Sequence, residues 1–341
     1  FRAIKQKKTK HHKTTFPIED TKKHRKEQIK VVNHSFTGNK LTRYSGLNVV
    51  SKYIRRQKID RTINYLFPTH WYNSTKFGYN QILLSIILAS LAGINRISRI
   101  SNFTGDSLVK SLLGLQKRIN KDALADGLKQ LSERGARTLQ DYLLEKKSKW
   151  LRNTGLKYIT LDADSTVSMV YGDQQGAAKG FNEKKKGTKS YHPLLVFVSE
   201  LKLLYHSWFR TGSAYTSNGI EGFLKEVKAS LPDTIKKAFF RADSGFFKGP
   251  LLDLLEEYGW DYLIKVKLKN LKKLLEQQTW QPIYDNAEIA VCAFEYKAGP
   301  WKRPRTLKAI RTVKEYVERE YFGEKQYIPL YDYACYVSRV C

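Results

Sequence analysis

Two aspartates, each at the end of an apolar, strand-like segment, are the residues of this sequence best placed to do chemistry. Asp164 ends the segment that starts at Tyr158, Asp243 ends the segment that starts at Ala238, and each is followed by a serine. A carboxylate in such a position is costly to bury unless something pairs with it. In a chain of formal net charge +29, the two acids predict a divalent-metal site that acts on a polyanion. This pattern favours a nucleic-acid enzyme.

The geometry of a strand decides which acids can share a metal. Side chains alternate between the faces of a strand, so Asp162 and Asp164 share one face. If the strand that ends at Ala242 lies beside the one that ends at Ala163, Asp164 and Asp243 meet. Two adjacent carboxylates repel each other unless a cation lies between them, and Mg²⁺ or Mn²⁺ prefers oxygen ligands. Asp162 is a less favoured metal ligand, for which a supporting role fits better. The competing interpretation is that both Asp-Ser pairs are ordinary strand-end turns.

The elements around these acids predict a mixed sheet. Strand patterns cover residues 156–163, 191–198, 201–210, 237–242 and 260–266, and amphipathic helices cover 218–231 and 249–258. The order β-β-β-α-β-α-β predicts an α/β fold (α+β for the whole chain) of the ribonuclease H-like type. We expect Asp164 and Asp243 at the open edge of its sheet.

Changes of pattern along the chain predict four regions. They are a basic flexible arm over residues 1–40, a helical DNA-binding domain over 41–153, the ribonuclease H-like core over 154–267, and an incomplete β-rich insertion over 268–341. Within the helical domain, two helices around the turn from Gly114 to Asn120 have the spacing of a helix-turn-helix, although any small helical bundle yields such pairs.

The charge distribution indicates the partner. Residues 1–60 hold 17 Lys or Arg and 4 Asp or Glu, an excess that favours nucleic acid or an anionic membrane surface. The apolar stretch 82–94 is shorter than the roughly 20 residues that span a bilayer, and no signal peptide is recognisable. We therefore expect a cytoplasmic protein without membrane contact.

A glycine-rich basic loop over residues 171–190 is the candidate for phosphate contacts close to the acids. Backbone N–H groups and lysines can bind phosphates there, and the alternative is a flexible exposed loop. The predicted DNA-binding residues are Lys179, Lys184, Lys185, Lys186, Lys189 and Arg241. Trp280, Trp301 and Tyr284 offer stacking on a flipped base, but aromatic residues of this kind more often belong to a core.

A series of short motifs gives the sequence a specific resemblance. The series comprises Leu161–Val167, Tyr171-Gly172, Gly180–Asn182, Ser190–Leu194, Arg210–Gly212, Asn218-Gly219 and Arg241–Phe247. In this order it resembles the group-1 DDE transposases of bacterial insertion sequences, within the ribonuclease H-like superfamily that includes retroviral integrases. The resemblance implies Mg²⁺-dependent (or Mn²⁺-dependent) DNA cleavage and strand transfer at terminal inverted repeats, by a cut-and-paste route. It further implies double-stranded element and target DNA as partners, a homodimer in the synaptic complex, and a nucleoid-associated location in bacteria.

By this resemblance Asp164 and Asp243 are the first two acids of a catalytic triad, whose third member is a Glu. Tyr316-Val-Glu-Arg319 is similar to the Tyr-x-x-Arg that precedes that Glu, but Gly323 stands at the Glu position and Glu324 comes one residue later. We therefore expect the third acid beyond Cys341, in a chain truncated at its C-terminus that binds DNA without cutting it.

Two other functions stay open at this point. One is a catalytically inactive, truncated DNA-binding remnant of a transposase, which the displaced Glu favours. The other is a ribonuclease H-like nuclease without strand transfer. The long helical N-terminal region argues against it, because a simple nuclease does not need such a region.

Overall fold

The computed structural model describes residues 42–67, 77–180, 187–283, 286–321 and 324–339. The predicted basic arm, residues 1–40, lies outside this part of the chain. The chain divides into two compact units, Phe1–Tyr142 and Leu143–Cys341. Among the described residues, no helix combines the length and the apolar character that crossing a membrane requires.

The described part of the first unit is helical. Its core centres on the third helix, where Ile82, Leu84 and Leu88 are at most 1% exposed, as expected for the continuous apolar stretch in this part of the sequence. The helices are α1 (Leu47–Arg56), α2 (Ile59–Leu66), α3 (Tyr79–Leu91), α4 (Ile97–Phe103), α5 (Ser107–Leu113) and α6 (Lys121–Asn153), the last of which continues past the border between the units.

The predicted helix pair around Gly114 is present as α5 and the start of α6. Asp106 caps α5 by accepting hydrogen bonds from the backbone N–H groups of Leu108 and Val109, and Gly114 ends it with a φ of +64°, which glycine adopts without a steric penalty. The use of this pair as a DNA-reading helix-turn-helix stays a prediction. Helix α6 is interrupted at Ser132, whose φ of 55° and ψ of −178° are not helical.

In its described residues, the second unit is built on a nine-stranded sheet with the strand order β6-β5-β1-β7-β8-β12-β11-β10-β9. A separate small sheet has the order β2-β4-β3. The strands are β1 (Tyr158–Ser165), β2 (Ser168–Met169), β3 (Ala178–Lys179), β4 (Lys189–Tyr191), β5 (Leu194–Val198), β6 (Leu203–Trp208), β7 (Lys237–Ala242), β8 (Asp261–Lys265), β9 (Gln281–Ile283), β10 (Asn286–Tyr296), β11 (Arg305–Tyr321) and β12 (Glu324–Ser338). The helices are α7 (Ile220–Ser230), α8 (Gly249–Glu257) and α9 (Leu271–Glu276).

The part of this sheet from β6 to β8 confirms the predicted ribonuclease H-like α/β fold. Strand β1 pairs antiparallel with β5 and parallel with β7, and β7 pairs parallel with β8. Helices α7 and α8 follow β6 and β7 in the chain, so the observed order is β-β-β-α-β-α-β. Strand β1 is therefore the middle one of these five strands, with β7 as its parallel neighbour.

The structure differs from the expected strands around the glycine-rich loop. The predicted strand 191–198 is split: Tyr191 ends β4 in the small sheet, and Leu194 begins β5 in the large one. Pro193 lies between them and has no N–H to donate to a ladder, which is why a strand tends to break there. The loop itself contains β3, and both β3 and β2, which lies just before the loop, pair with β4. It is therefore partly ordered by hydrogen bonds.

The insertion is strand-rich, as predicted, and it extends the core sheet. Strand β12 pairs antiparallel with β8, with Val337 opposite Ile264. The segment from Tyr316 to Arg319 belongs to β11, and Glu324 begins β12. The Tyr-x-x-Arg segment and the Glu that follows it, which were compared with the family's third acid, therefore both lie in strands.

A buried ion-pair network joins the insertion to the core. Glu256 of α8 accepts hydrogen bonds from Arg305 Nε at 2.8 Å and from the Tyr262 hydroxyl at 2.6 Å, and the same guanidinium donates to Asp253 at 2.5 Å. The side chains of Arg305 and Glu256 are only 3% and 6% exposed. Burial alone would raise the pKa of Glu256, but the hydrogen bonds from Arg305, Tyr262 and Arg303 lower it to about 2.

Candidate active site

Strand β1 presents its acids as the alternating pattern predicts. Ile159, Leu161 and Ala163 are buried, with at most 6% of each exposed. The opposite side of the strand carries Asp162, which is partly buried, and Asp164, which is exposed. Burying the three apolar side chains on one face therefore turns both acids to the other face.

The pairing of β1 with β7 brings the two predicted metal ligands to neighbouring positions. The parallel register places Asp162 opposite Arg241 and Ala163 opposite Ala242, and Asp164 and Asp243 are the next residues in that register. Asp243 keeps an extended backbone, with φ −76° and ψ −179°. Since neighbouring strands lie about 4.8 Å apart, the backbones of the two aspartates are adjacent at the carboxyl ends of paired strands.

Each carboxylate is held by a local hydrogen bond. Oδ1 of Asp243 accepts from the backbone N–H of Gly245 at 3.0 Å, and Oδ1 of Asp164 accepts from that of Ser165 at 2.7 Å. In the described part of the chain, no hydrogen bond engages the second oxygen of either group. Both side chains are exposed, so their carboxylate oxygens are accessible as metal ligands.

This donor set fits a hard divalent cation. Carboxylate oxygens from two adjacent strands are the ligands that Mg²⁺ and Mn²⁺ accept, with waters and phosphate oxygens completing the shell. The described residues contain no group of three or more His, Cys, Asp or Glu side chains arranged to hold a metal. The candidate site of this part of the chain therefore consists of Asp164 and Asp243.

Asp162 has a different partner. Its two carboxylate oxygens accept from Nε and Nη2 of Arg241 at 2.6 and 2.8 Å, across the β1–β7 register. The hydrogen bond from Arg241 holds the pKa of Asp162 below its usual range, and the same bond raises the pKa of Arg241. The less favoured metal ligand and one predicted DNA-binding residue therefore neutralise each other.

The predicted DNA-binding lysines are distributed along the small sheet. Lys179 ends β3 and is exposed. Lys189 begins β4 and forms an ion pair with Asp173; hydrogen bonding to Lys189 lowers the pKa of that carboxyl. Lys184, Lys185 and Lys186 lie outside the described residues. The structure therefore brings Lys179 and Lys189 together on paired strands.

A cleft of about 640 Å³ opens beside Asp243. The end of β1 and the loop after β6 line one part of it, and the residues after β7 and β8 line the rest. Its polar lining includes Thr166, Tyr215, Thr216, Ser244, Lys248 and Lys267.

One arginine fixes the loop after β6. Nη1 of Arg210 donates to the carbonyl oxygens of Tyr215, Thr216 and Asn218 at 3.3, 3.1 and 2.6 Å, and its Nε donates to the carbonyl of His192 at 3.0 Å. The hydroxyl of Ser165 donates to that of Thr216 at 3.2 Å. The loop is therefore tied to the end of β1, one residue beyond Asp164.

Two glycines let this loop approach the small sheet closely. A Cβ on Gly180 would lie 1.7 Å from the carbonyl oxygen of Gly212, and one on Gly212 would lie 2.2 Å from that of Ser190. Real Cβ atoms do not approach other atoms this closely, so both positions require glycine. This gives the Gly180 and Arg210–Gly212 motifs a physical role in shaping the cleft wall.

The tryptophans considered for base stacking are packed inside the insertion. Trp301 is 5% exposed, and the Arg305 guanidinium lies 5.0 Å from its ring centroid. The Trp280 ring is covered by Arg311 at 4.9 Å, and its Nε1 donates to the carbonyl of Leu275. Both therefore have core roles, and Tyr284 lies outside the described residues.

A family model for the transposase DDE domain, group 1, matches residues 24–322. The chain belongs to this family. None of the curated proteins matches its sequence. The match includes β1, β7 and both aspartates, and it also spans the helices of the first unit.

Among solved structures, the chain is similar to transposases. The piggyBac transposase synaptic complex with hairpin DNA is 14% identical, with a TM-score of 0.38, and the match covers 82% of this chain and 56% of that chain. The Mos1 transposase paired-end complex with the left transposon end is 9% identical, with a TM-score of 0.23, and the match covers 56% of this chain and 60% of that chain. The chain thus spans little more than half the length of each.

Sequence reasoning missed the residues that shape the cleft. Arg210 and Gly212 stood in a motif that carried the family resemblance, but nothing local in the sequence showed that they fix a loop beside Asp243. Lys248 and Lys267 are two of 61 basic residues and had no distinguishing signal. Their position near an acid depends on the turns that follow β7 and β8.

Proposed function

We propose that this chain belongs to a transposase that cleaves DNA strands and joins them to target DNA by cut-and-paste transposition, at the terminal inverted repeats of a bacterial insertion sequence. The observation that carries the proposal is the position of Asp164 and Asp243, which follow a paired register at the carboxyl ends of two parallel strands. Membership of the DDE transposase family supports the same activity.

In this proposal Asp164 and Asp243 hold Mg²⁺ or Mn²⁺ through their outward carboxylate oxygens. When bound, such an ion stabilises charge on a phosphate and activates an attacking oxygen. The protein orients the two acids by strand pairing, and the hydrogen bonds from Ser165 and Gly245 fix one oxygen of each. Arg241 keeps Asp162 engaged two residues before Asp164, which leaves Asp164 as the acid of β1 for the metal.

The proposed partner is double-stranded DNA, at the element ends and at the target. The chain carries 61 Lys and Arg against 32 Asp and Glu. Such an excess favours DNA binding, because basic side chains that contact phosphates release the counterions of the DNA. A homodimer that holds two element ends in a synaptic complex is part of the same proposal. Its direct measure is the mass of the complex on end DNA, by light scattering.

The metal assignment is tested by comparing three single variants. Asp164→Asn and Asp243→Asn each remove one charged ligand, and we expect Mn²⁺ affinity, followed by electron paramagnetic resonance, to fall at least about 10-fold. Asp162→Asn is the matched control on the same face of the same strand, and its Mn²⁺ affinity should stay unchanged. A larger loss in Asp162→Asn than in Asp164→Asn would refute the assignment.

Activity is assayed with end-labelled element DNA and Mg²⁺, in the full-length gene product. Cleavage and joining should both fall by about 100-fold or more in Asp164→Asn and Asp243→Asn, while gel shifts of the same DNA stay intact because the basic residues supply the affinity. Binding without cleavage in the wild type would identify a DNA-binding remnant. Nicking without joining would identify a nuclease.

A further inference from the structure

The cleft beside Asp243 holds cations that the two-acid site does not use. Lys248 and Lys267 both line it and are exposed. Within the described ranges neither lysine forms an ion pair, in contrast to Lys189 and Arg241, which have acidic partners. Lysines without an acidic partner in the protein are available to an external anion such as a phosphate.

The same cleft holds an exposed aromatic ring. Tyr215 is 71% exposed, and its backbone is fixed because its carbonyl oxygen accepts from Arg210 and from the backbone N–H of Asn218 at 3.0 Å. A large ring on an ordered loop loses little conformational entropy when a flat group stacks on it. Arg210 adds positive potential, since only carbonyl oxygens bind it in the described part of the chain.

The size of the cleft limits what it can take. Its volume of about 640 Å³ lies within the range of roughly 300–1,000 Å³ typical of small-ligand pockets, which matches a few nucleotides of one strand. A DNA duplex is too wide to enter it. Lysines flanking an open aromatic ring are the usual combination for single-stranded nucleic acid, in which cations follow the backbone and rings stack on bases.

We propose that this cleft binds the end of a single DNA strand, with its phosphates held by Lys248 and Lys267 and one base stacked on Tyr215. This places the strand next to Asp243, where the proposed chemistry needs it. The choice of DNA over another phosphate polymer rests on the proposed function. The arrangement of two cations and an aromatic ring does not depend on it.

The first test is photo-crosslinking of a short oligodeoxynucleotide that carries 5-iododeoxyuridine at its 3′ end, in EDTA and moderate salt. We expect mass spectrometry to map the crosslink to Tyr215. Tyr171 is the internal control because it is 74% exposed and does not line the cleft. Crosslinks confined to Tyr171 or to other sites outside the cleft would overturn the proposal.

The second test measures affinity for the same oligonucleotide by fluorescence anisotropy. Tyr215→Ala should weaken binding about 5- to 150-fold, the range expected for loss of one base–aromatic stack, whereas Tyr215→Phe keeps the ring and should bind like the wild type. Equal affinity in both variants and the wild type would count against stacking. Matching thermal midpoints would show that both variants are folded.

The lysines are tested through the salt dependence of binding. Lys248→Ala and Lys267→Ala should each reduce the slope of log affinity against log salt by about 0.7, the value for one phosphate of a single strand. Lys265→Ala and Lys269→Ala are matched controls, since these lysines flank Lys267, are exposed and lie outside the cleft. Equal slope changes in all four variants would show only diffuse attraction and would refute a phosphate site.

The EDTA in these assays separates this proposal from the metal assignment. A crosslink at Tyr215 together with full cleavage by Asp164→Asn would refute the metal assignment and still support the proposal that the cleft binds a DNA strand. Loss of Mn²⁺ binding in Asp164→Asn together with no crosslink at Tyr215 would overturn the cleft alone.

Discussion

The network around Glu256 provides a quantitative test of how the insertion is attached. Glu256→Gln keeps the size of the side chain and removes its charge. The carboxylate accepts from Arg305 and Tyr262 and is 6% exposed, so the variant leaves the buried Arg305 cation with less compensation. Since this network links α8, β8 and β11, we expect the second unit to lose stability.

The magnitude follows from the pKa. Hydrogen bonds, against the effect of burial, lower the pKa of Glu256 from 4.5 to about 2, and each pKa unit corresponds to about 1.4 kcal/mol. The ionised carboxylate therefore stabilises the fold by about 3 kcal/mol. This agrees with the 3–5 kcal/mol typical of breaking a buried ion pair. The low end is expected because Arg305 keeps its hydrogen bond to Asp253.

The sign of the pH dependence is fixed because the folded pKa is depressed. The stabilisation is fully present above pH 4.5, the value assumed for the unfolded chain, and is lost as the pH falls toward 2. The difference in unfolding free energy between wild type and Glu256→Gln should therefore be about 3 kcal/mol at neutral pH and roughly half of that near pH 3.

The assay is urea unfolding followed by tryptophan fluorescence, because Trp260 and Trp301 are buried in the second unit, at 2% and 5% exposure. Glu257→Gln, an exposed neighbour on the next residue, is the control and should change the free energy of unfolding by less than about 0.5 kcal/mol. A cost below about 1 kcal/mol at neutral pH, or a difference that is the same at both pH values, would refute the reasoning.

Three further predictions follow from contacts in the same unit. Gly212→Ala should destabilise the small sheet and accelerate amide exchange there, because its Cβ would lie 2.2 Å from the carbonyl oxygen of Ser190; unchanged exchange would contradict this. Asp162→Asn should lower the free energy of unfolding by less than about 1 kcal/mol, since the side chains of the Arg241–Asp162 pair are 46% and 34% exposed; a loss of several kcal/mol in urea melts would show a structural role. Burial raises the pKa of Cys335 to about 12, so native protein near pH 8 should leave this thiol unalkylated by iodoacetamide, and peptide mapping that finds it fully labelled would contradict its burial.

The local pattern of the sequence was sufficient to predict the elements of the core. The alternation of apolar residues before Asp164 predicted both the strand and the face on which the acids lie, and burial of Ile159, Leu161 and Ala163 confirms it. The strand before Asp243 and the helix from Gly249 were predicted within one residue of their observed ends. These features depend on neighbours in the chain, which is why the sequence alone can reveal them.

Other features of the candidate site were decided by tertiary structure. The partner of a side chain depends on strand register, and the register between β1 and β7 places Arg241 opposite Asp162, so a predicted metal ligand and a predicted DNA contact became an ion pair. A single strand was predicted through Pro193, whereas the structure breaks it there and places Tyr191 in the small sheet.

The lining of the cleft shows most clearly which features the sequence predicts and which depend on tertiary structure. Asp243 was recognisable as a strand-end acid, whereas Tyr215, Lys248 and Lys267 come from three segments that follow β6, β7 and β8. Nothing local marks them, because their proximity arises only when the sheet assembles in the order β6-β5-β1-β7-β8 and Arg210 binds the carbonyl oxygens of the loop after β6. The sequence by itself determined which acids could act, and the packing of distant segments decided what surrounds them.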